Sequence, residues 1–131
     1  MNFAPLDRTA SSGGVLRGVG GFYHAAELAD ADGPVEIGLR PEALKLVSAE
    51  TKGAIRGTFE RMEDLGYEYV CYVRLDETLV WTVRSTGSPP AFATSQPVGL
   101  GWQPENLYLF GEDGRRIDHG GAMQLASGAS L

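Results

Sequence analysis

The chain has 131 residues, 43% apolar and 21% charged, which is enough apolar material to bury a core without disulfide or metal staples. Its net charge is −6 and its pI about 4.8, and this argues against nucleic-acid binding, where Lys and Arg must neutralise phosphates; the only basic pair is Arg115-Arg116. A single cysteine, Cys71, rules out an intrachain disulfide and suits a reducing compartment; no apolar run has bilayer-spanning length, and no signal peptide is read at the N-terminus.

With 18 Gly and 7 Pro the chain reads as many turns joining many short strands. Met1 to Pro5 reads as extended, Ser11 to Gly14 as a turn and Val15 to Val19 as a strand. Phe22 to His24 reads as a further strand, Ala25 to Ala31 as a weak helix or loop, and Asp30 to Gly33 as a turn by composition. Val35 to Arg40 is a predicted strand that leads into the stretch Arg40-Pro41-Glu42. A residue before proline is pushed out of the α region, so Arg40 is expected to stay extended. Pro41 then opens one helical or 3₁₀ turn, with Glu42 near its positive end.

Ala54 to Glu63 alternates, with Ile55, Gly57 and Phe59 on one face. Leu65-Gly66 marks a hairpin after a Glu-Asp pair. Tyr67 to Leu75 alternates again, and Leu79, Trp81 and Val83 share a face of the next run. This is the period of half-buried strands, and the three segments predict an antiparallel meander. Ser85 to Ser95, with Gly87, Pro89 and Pro90, reads as a loop. Val98 to Trp102 is a strand leading to Gln103-Pro104-Glu105, and Leu107 to Phe110 is another, ended by the turn at residues 111–114. Arg115 to Ile117 adds a short strand, and residues 120–131 read as a flexible tail, leaving 1–119 as the folded domain. About eight short strands and no long amphipathic helix predict an all-β fold, a small OB-like Greek-key barrel.

One relationship organises these elements. Pro34 to Leu46 reads PVEIGLRPEALKL, and Pro97 to Leu109 reads PVGLGWQPENLYL. Seven of thirteen positions are identical, among them Gly38 with Gly101, Pro41 with Pro104 and Glu42 with Glu105, and Ile37 answers Leu100. Two such corners imply either two related half-structures or two equivalent places where a barrel closes; the alternative is chance likeness between two β-corners.

Catalytic chemistry leaves no comparable mark. There is no P-loop, and Gly18 to Gly21 lacks the Lys and the flanks that would make a glycine run a phosphate cradle. His24 and His119 have no ligand spacing, Cys71 falls on an inward strand face, and Asp30, Asp32 and Glu36 read as a solvated turn. Glu60, Glu63 and Asp64 surround a hairpin as its solvated face. Tyr67, Tyr69 and Trp81 read as core packing ahead of a stacking platform for bases or sugars. The reading is therefore of no catalytic, cofactor-binding or metal-ligating residue, and of a chain that neither binds nor hydrolyses ATP. From these residues alone the chain is a small acidic β-barrel with a binding or regulatory role.

A family resemblance adds to this. Met1-Asn2-Phe3, the run Gly38-Leu39-Arg40-Pro41-Glu42 with Leu44, the Glu63-Asp64-Leu65-Gly66 hairpin and Leu107-Tyr108-Leu109-Phe110 occur in a familiar order. The chain resembles the C-terminal transport-associated OB (TOBE) domain of ATP-binding subunits of ABC importers, in the maltose and glycerol-phosphate group. The resemblance spans Met1 to Ile117 and is weakest between Phe3 and Asp32. It marks Gly38, Arg40, Pro41, Glu42, Leu65, Gly66, Pro104 and Glu105 as family-motif positions of structural or regulatory weight. It implies a parent chain whose upstream domain holds ATP and Mg²⁺. Its implied partners are that ATPase domain, a twin subunit, transmembrane permease subunits and a regulatory protein, without nucleic acid. The implied location is the cytoplasmic face of the membrane, reached through the parent transporter. The alternative is a free-standing OB-like barrel that binds a small ligand or an oligonucleotide.

Overall fold

A computed structural model describes residues 1–8, 15–18, 21–24, 35–110, 116–117 and 124–125. The first five strands are β1 (Asn2–Arg8), β2 (Val15–Gly18), β3 (Gly21–His24), β4 (Val35–Leu39) and β5 (Lys45–Ser48). The next five are β6 (Ile55–Asp64), β7 (Tyr69–Arg74), β8 (Val80–Ser85), β9 (Pro97–Gly101) and β10 (Leu107–Phe110), followed by β11 (Arg116–Ile117) and β12 (Gln124–Leu125). The fold is all-β, as expected, with twelve strand segments among the described residues against the eight anticipated. They form two antiparallel sheets, ordered β11-β10-β4-β1-β2-β3-β12 and β5-β9-β6-β7-β8. Of the glycine run, Gly18 at the end of β2 pairs with Gly21 at the start of β3, and residues 19–20 lie outside the described residues.

The two sheets share one plan. Removing β11 and β12 leaves β10-β4-β1-β2-β3 beside β5-β9-β6-β7-β8. Each half of the chain builds a meander, adds its fourth strand beside the first, turns a corner and gives its fifth strand to the other half. The pairing registers carry the same relation. Lys45 faces Gly101, Leu46 faces Leu100 and Val47 faces Gly99. Their repeat counterparts, Tyr108 with Gly38, Leu109 with Ile37 and Phe110 with Glu36, face each other in the opposite sheet. The two repeat copies thus pair with each other in the same register in both sheets. The sequence reading left related halves, equivalent barrel closures or chance likeness, and the shared strand plan and matching registers are those of related halves.

The corners explain why the strands change sheet. Arg40 stays extended at φ −71°, ψ 144°, Pro41–Ala43 form a single 3₁₀ turn, and Leu44 returns to extended backbone at φ −102°, ψ 150°. Ala43 N–H donates to Arg40 O at 2.9 Å, and its counterpart Asn106 N–H donates to Gln103 O at 2.9 Å. Pro104–Asn106 form the matching 3₁₀ turn. Each corner ends on a buried leucine, Leu44 or Leu107, both 2% exposed. Ile37 and Leu100 are sealed from solvent as well, and burying such side chains stabilises by about 1.5–3 kcal/mol each.

The meander β6-β7-β8 forms as predicted, with Ile55, Phe59, Cys71, Val73, Trp81 and Val83 in the core. Its alternation breaks at one point. Phe59 faces Val73 and Arg61 faces Tyr72, so Glu60 is a bulged extra residue. Phe59 exchanges backbone hydrogen bonds with Ser95 and Gln96, at 2.7 and 2.9 Å, where β6 parts from β9. Beyond that point Met62, not Arg61, faces Cys71 across the ladder, although Met62 itself is exposed. Tyr67, expected on the inner face, is 76% exposed in the hairpin, because β7 begins at Tyr69.

The two sheets are also tied directly. Trp81 Nε1–H donates to Phe3 O at 2.9 Å. The Asn2 carboxamide treats Thr82 as a strand neighbour would: Nδ2 donates to Thr82 O at 2.7 Å and Oδ1 accepts from Thr82 N–H at 2.9 Å. The backbone groups of edge strand β8 at Thr82 are thereby satisfied by a side chain from β1. The expected helix or loop at 25–31, the turns at 11–14, 30–33 and 111–114, and the boundary at 119–120 lie outside the described residues. Within 120–131, Gln124 and Leu125 pair with His24 and Tyr23 of β3.

Candidate regulatory groove at the first corner

The family-motif residues fall into three groups. Gly38 lies in β4 between Phe3 and Tyr108. A Cβ at Gly38 would stand 2.7 Å from Met1 Sδ, 3.0 Å from the Phe110 ring and 3.2 Å from the Phe3 ring. Glycine here therefore makes room for an aromatic cover on the outer face of the sheet. The Phe3 and Phe110 rings meet edge to face with centroids 5.7 Å apart. The Arg40 guanidinium sits 5.6 Å above the Tyr108 ring, a cation–π contact.

The second group is the pair of corners. Because Leu39 pairs with Leu107 and Lys45 with Gly101, both corners connect neighbouring strand ends where the chain crosses between sheets. Glu42 and Glu105 are both exposed. The first corner packs against the edge strand β8.

The third group is the β6–β7 hairpin. Gly66 has φ +89°, its N–H donates to Asp64 Oδ1 at 2.8 Å, and Leu65 N–H donates to Glu68 O at 2.9 Å. Leu65 is 43% exposed, so it contributes little to the core. A Cβ at Gly66 would meet nothing within 4 Å, so a larger residue there is opposed by backbone strain alone. Gly66→Val is expected to lower stability by about 1–3 kcal/mol, and Gly66→Asn, which tolerates the left-handed region, to recover most of that. Thermal melts of the two variants check this; a Gly66→Val melt equal to wild type would remove the strain argument.

Arg84 links the hairpin to the first corner, a role that sequence reasoning missed. Glu68 beside the hairpin is 9% exposed, and its carboxylate accepts from Arg84 through Nε at 3.2 Å and through Nη2. This hydrogen-bonded pair, then the Glu68 charge and the weaker fields of Glu42 and Tyr67, hold the Arg84 guanidinium above its ordinary pKa, against partial desolvation. Val70 faces Arg84 across the ladder, so Glu68 lies two residues from Arg84's partner. That diagonal could be foreseen only once the register of β7 against β8 was known.

Between the β5 and β8 edges lies an open groove of about 480 Å³. Glu42 and Lys45 stand on one bank, Arg84, Thr86 and Ser88 on the other, and Phe92 also lines it. The Ser85 hydroxyl in its wall is sealed from solvent and has no hydrogen-bond partner in the structure.

The span bounded by these features has a known counterpart. A sequence model of the TOBE domain matches residues 37–110, from Ile37 in β4 to Phe110 at the end of β10. The chain belongs to the TOBE domain family. The match takes in both corners, the meander and all eight motif positions. This TOBE chain is also similar to the sn-glycerol-3-phosphate import ATP-binding protein UgpC of Chromohalobacter salexigens, at 28% identity over 119 residues. The alignment covers 89% of this chain and 32% of that protein, so the TOBE chain spans about a third of its relative.

Proposed function

We propose that this TOBE domain is the non-catalytic regulatory and dimerising domain of the ATP-binding subunit of an ABC importer for a sugar or sugar phosphate. The observation that carries the reading is the similarity, over nearly nine-tenths of the chain, to part of an import ATP-binding protein. In this reading ATP and Mg²⁺ are held by the ATPase domain of the parent chain. The partners are that domain, a twin subunit, the permease subunits and a regulatory protein, at the cytoplasmic face of the membrane. Family-motif residues act by shape: Gly38 and Arg40 through the aromatic cover, Pro41, Glu42, Pro104 and Glu105 through the corners, Leu65 and Gly66 through the hairpin.

A weakly pairing domain can still matter to a dimeric ATPase. Linked contacts make the second association intramolecular, so a modest interface adds an effective-concentration gain to closure of the nucleotide sites. The isolated domain is therefore expected to be monomeric or weakly dimeric at micromolar concentration. Deleting residues 1–131 from the parent subunit is expected to leave measurable ATP hydrolysis while weakening its dimer and its response to transport or to a regulator. ATPase assays and sedimentation on the truncated subunit check this. Loss of all hydrolysis in a truncated subunit that folds and binds ATP would overturn the non-catalytic assignment.

A further inference from the structure

We propose that the groove at the first corner is a binding site for a small neutral polyol of monosaccharide or disaccharide size. Its volume of about 480 Å³ lies within the usual range for small-molecule sites. Its lining mixes hydrogen-bond donors and acceptors instead of concentrating one charge. Lys45 is a donor, Glu42 an acceptor, and Thr86 and Ser88 offer hydroxyls that do both. Glu68 engages Nε and Nη2 of Arg84, which leaves Nη1 outside the pair and fixes the guanidinium plane without burying it. Phe92 supplies an apolar surface for the C–H face of a sugar ring, and it is held from behind by Phe59, with ring centroids 6.0 Å apart.

Charge favours a neutral ligand over an anion. Arg84 is already matched by Glu68 and also feels the charge of Glu42, which shares the groove with Lys45, so little positive field remains for a phosphate or carboxylate. Alternating donors and acceptors suit vicinal hydroxyl groups, each of which donates and accepts. The groove joins the corner given by the first half of the chain to the β8 edge of the second. Occupancy therefore bears on both halves at once, which is the geometry a solute-sensing regulatory domain needs.

The site can be tested on the isolated chain, independently of any ATPase. Amide chemical shifts are followed by NMR while glucose, maltose, glycerol and inorganic phosphate are each titrated to about 20 mM. The expected result is a saturable shift confined to residues 42–46 and 84–92 with glucose or maltose, with Kd on the order of 1 mM. In the exposed-site variants Glu42→Gln and Lys45→Met, with unchanged melts, affinity is expected to fall by about fivefold or more. Three outcomes would overturn the proposal: no saturable shift with either sugar, shifts centred elsewhere, or inorganic phosphate binding the same residues more tightly than the sugars. Failure here would leave the importer-subunit reading untouched, since that reading rests on the truncated parent.

Discussion

Trp81→Ala is expected to lower the stability of the domain by about 3–5 kcal/mol, the usual cost of removing a large aromatic side chain from a core. Trp81 is 1% exposed in β8 and faces Val73 across the ladder. It does more than fill space, because its indole N–H holds the Phe3 carbonyl of the other sheet. Trp81→Phe separates the two contributions. It keeps most of the ring but strands the carbonyl, and about 1–2 kcal/mol is expected from that alone. Urea denaturation followed by circular dichroism measures both, with an unchanged m-value showing that the unfolding transition remains the same. A loss under about 1 kcal/mol for the alanine variant would mean that β1 is not seated on β8.

Asn2→Ala is expected to cost about 2–3 kcal/mol, large for a residue second in the chain. Asn2 is 7% exposed, and its removal leaves both the N–H and the C=O of Thr82 without their partners. Asn2→Asp makes a sharper test. One carboxylate oxygen can still accept from Thr82 N–H, but the other then faces the Thr82 carbonyl. The folded state therefore favours the protonated acid, so the carboxyl pKa is raised above its unfolded value of about 3.9. The folded protein binds more protons than the unfolded one in this window, and stability falls as pH rises through it. The Asp variant should accordingly be nearer to wild type at about pH 4 than at about pH 7. Hydrogen exchange at the Thr82 amide reports the same contact locally. Equal defects at both pH values, or wild-type exchange at Thr82 in the alanine variant, would show that the amide does not pair with β8.

Much of the fold was legible in the amino-acid order. The meander was visible because β6, β7 and β8 each bury one face, and a period of two follows from the pleat. The corners were visible because proline restricts both itself and its predecessor, and the same constraint written twice marks two equivalent turns. Gly66 could be placed in a hairpin because Leu65-Gly66 follows a Glu-Asp pair and separates two alternating runs. The bulge at Glu60 was hidden, because it arises where β6 leaves β9 for Ser95 and Gln96, a contact between distant residues. Tyr67 was misplaced for a related reason: alternation continues through it in the sequence, while the chain has already turned.

The site was less legible than the fold. Gly38 and Arg40 stood out by motif, but their work lies in the rings of Phe3, Tyr108 and Phe110, which come from two other strands. Glu68 and Arg84 carried no sequence mark, since a carboxylate and a guanidinium sixteen positions apart meet only when the β7–β8 register is set. Asn2 was seen as part of a family signature, with nothing to show that its amide would stand in for a strand. The amino-acid order by itself determined the all-β class, the meander and the paired corners, because backbone restriction and pleat period are local. Tertiary structure decided that the halves exchange their last strands, that β1 is tied to β8, and that a groove opens at one corner. These depend on long-range registers, and a register is settled by what the whole sheet buries, not by any one strand.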